Sequence, residues 1–133
     1  MSQINSGIID VRSPRSVPQT IDRLEALAKA RGLTVFGRID FSGDAERAGL
    51  VMRPMQMLIF GNPKAGTALL VAAPRVGLDL PLKVLAWADD TDGVWLSCND
   101  PHYLEARHGL PPALIANVSG VIDLMNKAAA PDA

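Results

Sequence analysis

The segment Gly61-Asn62-Pro63-Lys64-Ala65-Gly66-Thr67 has the glycine spacing of a phosphate-binding loop. That motif needs a lysine directly after its second glycine to reach the β- and γ-phosphates, and Thr67 stands there, so a nucleotide-binding reading fails. A weaker chemistry survives. A helix beginning at Pro63 would present backbone N–H groups and the positive end of its dipole, with Lys64 as a nearby cation and Gly66 permitting close approach. Together with Thr67 these residues are candidates to hold a phosphate or carboxylate; the plainer alternative is that Asn62 and Pro63 cap the helix and Gly66 lets it approach a sheet.

Further along, Asp79-Leu80-Pro81-Leu82-Lys83 sets an acid and a base four residues apart at the start of a strand. Asp79 could orient a ligand amine and Lys83 could partner a carbonyl, but an alternating strand offers no desolvation to turn Lys83 into a nucleophile. Its parity with Leu85 and Trp87 suits a stem laid along apolar surface. His102, His108 and Cys98 supply all the imidazole and thiol of the chain. Six residues separate the histidines, about 240° around a regular helix, so they cannot chelate one metal from one helix. Cys98 alternates with Val94 and Leu96 and reads as a small buried hydrophobe. Ser97, Asp100 and His102 lack the turn that presents a catalytic serine. Neither a metal nor a cofactor is expected. Trp87 and Trp95 fit a cross-strand aromatic pair, and Asp89, Asp90 and Asp92 beside them oppose a nucleic-acid platform.

These residues must be positioned by elements that the pattern already outlines. Gly7 to Val11 favours a strand that Ser13-Pro14 ends. Ser16, with Gln19 three residues later and Pro18 early in the helix, makes a capping box before a stripe of Val17, Ile21, Leu24, Leu27 and Ala28 that Arg31-Gly32 closes. Leu33 to Phe41 alternates as a half-buried strand, placing Leu33, Val35, Ile39 and Phe41 on one face, with Phe36 out of phase. Ser42 to Leu50 reads as a turn and a short helix. Met55 to Phe60 is a nearly continuous apolar run, hence a central strand, and the helix from Asn62-Pro63 runs to about Ala73 before Pro74 ends it. Pro81 to Ala88 and Val94 to Asn99 form a hairpin around Asp92-Gly93. Pro101 to His108 is a short helix capped by Asp100 or Asn99, and Pro111 to Lys127 a longer one with Leu114, Ile115, Val118, Val121, Ile122 and Met125 in its stripe.

This order predicts an α+β domain: a largely antiparallel sheet, helices packed mainly on one face, and the first and last helices on that same face. The 133 residues suit a single domain spanning the chain, with 128–133 as a frayed tail. Thirteen basic against fourteen acidic residues provide no global attraction to nucleic acid or to an anionic membrane. One cysteine excludes an internal disulfide framework. The polar start Met1 to Ser6 lacks a secretory signal and no apolar run approaches the ~20 residues of a membrane span, so a cytoplasmic protein is expected.

The words Leu58-Ile59-Phe60-Gly61-Asn62-Pro63-Lys64-Ala65-Gly66-Thr67, Ala73-Pro74, Gly77-Leu78-Asp79-Leu80-Pro81-Leu82-Lys83 and Trp95-Leu96-Ser97-Cys98-Asn99-Asp100 occur in order and resemble the bacterial domain-of-unknown-function 302 family. The resemblance implies a β-α-β-β-β-β-α domain of the TATA-binding-protein-like kind, often dimeric, and assigns no activity. Two positions depart from the family pattern: Phe41 stands where many relatives carry His, and Cys98 where an aromatic is usual. A site built on that imidazole is therefore missing, and the candidates remain Asn62, Lys64, Gly66, Thr67, Lys83 and Asn99. The expected function is binding of a small, anionic ligand between the Pro63 helix and the sheet, in a homodimer whose contact covers the second face of the Met55 to Phe60 strand. The alternative is an enzyme on a small anionic metabolite, with Asp40, Asp79 or Asp100 as base and Lys64 or Lys83 as electrostatic stabiliser.

Overall fold

A computed structural model describes residues 6–132, so the polar stretch Met1 to Asn5 and Ala133 lie outside the described residues. Five strands form one sheet: β1 (Ile8–Ser13), β2 (Thr34–Asp40), β3 (Met55–Gly61), β4 (Leu82–Ala88) and β5 (Val94–Asn99). Their spatial order is β1-β5-β4-β3-β2, with all four pairings antiparallel. The helices are α1 (Val17–Ala30), α2 (Phe41–Arg47), α3 (Pro63–Ala72), α4 (Pro101–His108) and α5 (Ala116–Ala129), with 3₁₀ turns at Pro74–Leu78 and Pro112–Leu114. The α+β class is as expected, and β3, predicted to be central, lies one strand from the centre, which β4 occupies.

The first helix begins where its capping residues direct. Ser16 Oγ accepts from the Gln19 N–H at 3.2 Å and Gln19 Oε1 accepts from the Ser16 N–H at 3.4 Å, satisfying two donors that would otherwise lack partners. The stripe of α1 then packs with α5 on one sheet face. Val17, Ile21, Leu24 and Ala28 meet Val121, Leu124 and Met125 above Leu58, Phe60, Val84, Ala86 and Leu96. A second cluster of Leu69, Val76, Leu110 and Val118 joins α3 and the Pro74–Leu78 turn to α5. The expected tail is corrected: α5 continues to Ala129, Ala128 and Ala129 are buried, and Arg15 donates to the Ala128 carbonyl at 3.0 Å.

Strand β2 departs from simple alternation. The pairing passes from Val35 opposite Phe60 to Gly37 opposite Ile59, leaving Phe36 as an extra residue in a bulge. Parity therefore reverses at Phe36. Val35 packs on the helical core, whereas Ile39 pairs with Met57 on the other face, correcting the expectation that they share one. Arg38 is turned to the helical side, where it pairs with Asp22 at 2.7 Å and donates to Gln56 at 3.0 Å. Phe41 belongs to α2, whose N-cap is Asp40.

The sheet face opposite α1 and α5 carries Met55, Met57 and Ile59 of β3 beside Leu85 and Trp87 of β4, all half-buried. Trp87 stacks on its cross-strand partner Trp95, with ring centroids 6.5 Å apart, and the Arg12 guanidinium lies 5.3 Å from the Trp95 ring. The β4–β5 turn is organised by Asp89, whose carboxylate accepts from Trp95 Nε1, Thr91 Oγ1 and the Gly93 N–H, each at 2.8 Å. These donors hold that carboxyl well below the usual carboxylate range.

Candidate functional site

Where β3 runs into α3, the chain borders a cleft of about 310 Å³. Its walls include Phe36, Leu69, Leu70, Leu80, Leu82 and Val118. The β2 bulge presents Phe36 outward beside Gly61: a Cβ on that glycine would lie 3.7 Å from the Phe36 ring and 3.9 Å from Pro81. Asn62, Gly66, Thr67 and Asn117 add polar groups and open backbone to the same lining.

The start of α3 is a closed cap. Asn62 Oδ1 accepts from the N–H groups of Lys64 at 3.0 Å and Ala65 at 3.4 Å, Pro63 has no N–H, and the Gly66 N–H donates to the Asn62 carbonyl at 2.8 Å. Thr67 Oγ1 donates to the Pro63 carbonyl at 2.7 Å. The donors that an anion would require are therefore spent within the helix, and the segment acts as a structural cap. What remains uncommitted is different. With its oxygen on the cap, the Asn62 amide keeps Nδ2 as a donor; Asn117 donates through Nδ2 to the Ala65 carbonyl at 3.1 Å and keeps Oδ1 as an acceptor.

Of the six candidates, the cleft lining gathers Asn62, Gly66 and Thr67. Lys64 is exposed and absent from that lining. Lys83 and Asn99 border another depression with Asp79 and Cys98, of only about 10 Å³, room for no more than a water. The convergence of Lys83 and Asn99 on the Asn62 cleft is thereby corrected: neither side chain is part of its lining. Lys83 donates to the Pro81 carbonyl at 3.1 Å. Burial, with the negative charges of Asp100 and Asp10, pushes the Cys98 thiol up to about 11, so it remains protonated at neutral pH.

The three candidate acids are also engaged. Asp40 accepts from the Gly43 N–H at 2.9 Å and the Ser42 hydroxyl at 2.8 Å, which lower its pKa, and Asp100 accepts from the His102 N–H at 2.9 Å as the cap of α4. Asp79 lies between Arg107, at 3.1 Å, and His108 Nε2, at 2.5 Å. His102 is exposed while the His108 side chain is 6% exposed, so the two imidazoles occupy different environments on α4. Sequence reasoning missed Phe36, Leu70 and Asn117. The one local signal was the misphased Phe36 before Gly37; Asn117 reaches Ala65 across 52 residues and leaves no mark in the local pattern.

A family model described as "Domain of unknown function DUF302" matches residues 9–130. Two curated proteins, both called "Fluoride-specific ion channel FluC 1", from Brucella suis biovar 1 and Brucella abortus biovar 1, are each 47% identical over 109 residues. The match takes in 82% of this chain but 43% and 40% of theirs, so the chain spans less than half the length of those relatives. The crystal structure of an uncharacterised DUF302 protein from Bacillus stearothermophilus superposes with a TM-score of 0.76 at 22% identity, covering 93% of this chain and 96% of that one, and shares its fold. Among the described residues, no helix is long and apolar enough to cross a membrane.

Proposed function

The chain belongs to the DUF302 family, and from that premise we propose that it is a binding domain for a small, largely apolar molecule with one polar end, working as a homodimer. The observation that carries this reading is the 310 Å³ cleft at the start of α3, with Asn62 Nδ2 and Asn117 Oδ1 as uncommitted groups on an apolar lining. Small-ligand sites combine such walls with a few placed polar groups in this size range. The expected anion is replaced in this proposal by an amide- or hydroxyl-bearing ligand, because the cap consumes the α3 donors. The enzyme alternative is weaker for a parallel reason. Asp40 and Asp100 serve helix caps, and neither Lys64 nor Lys83 lines the cleft.

Gly66 offers a clean test. A Cβ at this position meets nothing within 4 Å, and exchanging glycine for leucine inside a helix raises helix propensity. The Gly66→Leu variant is expected to keep its melting temperature and to bind the neutral apolar dye Nile red at least tenfold more weakly than the unaltered chain, read by dye fluorescence. Equal dye affinity in both proteins would reject the cleft as the site.

The homodimer is supported by the half-buried apolar face of Met55, Met57, Ile59, Leu85 and Trp87 and by the neighbouring arm Leu50, Val51 and Met52, in which Val51 is 99% exposed. A second copy of this chain, presenting the same face, would cover it.

The names of the Brucella relatives favour a second reading, that this fold is a module acting beside a fluoride channel. Fluoride efflux from cells making such a channel with and without this chain is expected to differ in rate. Identical efflux, together with failure of the two to co-purify, would leave the resemblance without functional meaning here.

A further inference from the structure

Beside the Pro74–Leu78 turn lies a cleft of about 420 Å³ bordered by Pro74, Arg75, Leu78, Arg107 and His108. Three nitrogen-rich side chains line it from two elements: Arg75 from the turn, and Arg107 with His108 from the last turn of α4. Asp79, just after the 3₁₀ turn, holds the pair from α4. Its oxygens take Arg107 Nη1 at 3.1 and 3.2 Å and His108 Nε2 at 2.5 Å.

Three groups are left over. Every other arginine of the described residues has a carboxylate partner or, for Arg12, an aromatic ring, whereas Arg75 has neither and is exposed. Arg107 commits only Nη1, leaving the rest of its fork. His108 makes its single hydrogen bond through Nε2, and no buried side-chain nitrogen among the described residues lacks a partner, so its Nδ1 meets solvent. Two guanidinium groups against one carboxylate leave one net positive charge before the imidazole is counted. Planar N–H forks match the oxygens of a phosphoryl or carboxylate group, and Ala72, Ala73, Pro74 and Leu78 supply apolar surface for attached carbon.

We propose that this cleft is a second binding site, for a small oxyanion of the phosphoryl or carboxylate type, with Arg75 and Arg107 as its charged contacts and Asp79 as the residue that positions His108 and Arg107. The inference is independent of the apolar cleft, which shares none of these lining residues. It also relocates the anion from the start of α3 to the end of α4.

The test is a titration of the full chain, labelled with ¹⁵N, with inorganic phosphate and separately with acetate at constant ionic strength. Saturable amide shifts across residues 74–79 and 106–109 are expected for at least one probe, and the probe that saturates identifies the class. Arg75→Gln, at an exposed position without partners, should weaken that affinity at least tenfold while leaving the melting temperature unchanged. Arg107→Lys, which keeps the charge and loses the fork, should weaken it as well; Lys64→Gln and Gly66→Leu should stay within twofold. Linear, unsaturable shifts with both probes, shifts centred on residues 62–67, or an Arg75→Gln protein of undiminished affinity would each overturn the proposal.

Discussion

Replacing Phe60 with alanine is expected to lower folding stability by about 3–5 kcal/mol, the cost of a large aromatic lost from a well-packed core with a cavity left behind. Phe60 is fully buried, paired with Val35 on one side and Leu82 on the other, and belongs to the cluster that binds the sheet to α1 and α5. Phe36→Ala is the matched comparison. It removes the same atoms at a residue that is 53% exposed, so its effect on stability should be less than half as large. Urea denaturation followed by far-ultraviolet circular dichroism measures both. A Phe60→Ala protein within 1 kcal/mol of the unaltered chain would mean that this cluster is not what holds the layers together.

Sedimentation equilibrium at micromolar concentration is expected to return twice the chain mass for the unaltered protein and a single chain mass for Leu85→Lys. Leu85 lies between Met57 on one neighbouring strand and Ser97 on the other, well inside the apolar face assigned to the dimer contact. The substitution leaves a folded monomer possible, because a half-buried lysine can carry its ammonium group to water. Enclosed by a second subunit, the same ammonium would lose its contact with water, and a buried charge left unpaired costs about 3–5 kcal/mol. At about 1.4 kcal/mol per tenfold, that is at least a hundredfold in association constant. A monomer mass for the unaltered chain would reject the homodimer, and a persistent Leu85→Lys dimer would move the contact off this face.

The parts of the fold that were legible in the sequence are those whose cause is local. Ser16 with Gln19, Asn62 with Pro63, and Asp100 with Pro101 each carry the start of a helix within four residues, and all three helices begin there. Strand pairing was readable for β4 and β5, where five residues and an Asp-Gly turn leave few alternatives. Trp87 and Trp95 stack as that pairing requires. The bulge was harder to read, because an extra residue in β2 is defined only by the partner it fails to have in β3. The site divided along the same line. Asn62, Gly66 and Thr67 are sequence neighbours and stay together, whereas Lys83 and Asn99 were joined to them by chemistry alone. The Asp79 contact with His108 spans 29 residues and depends on where α4 docks, which no spacing encodes.

The bulge at Phe36 has a further consequence at the sheet margin. β2 has a hydrogen-bonded neighbour on one side only, as does β1 at the opposite end. An unpaired strand is a template for adding strands from other chains, the first step of runaway aggregation. In β2 the unpaired residue at Phe36 interrupts the regular row of backbone donors and acceptors, and Arg38 and Asp40 bring charge to the remainder. At the other margin, β1 is six residues long and carries Asp10 and Arg12. Guarded in this way at both margins, the sheet resists edge-to-edge strand addition, so the irregularity that borders one cleft also works against open-ended ribbons.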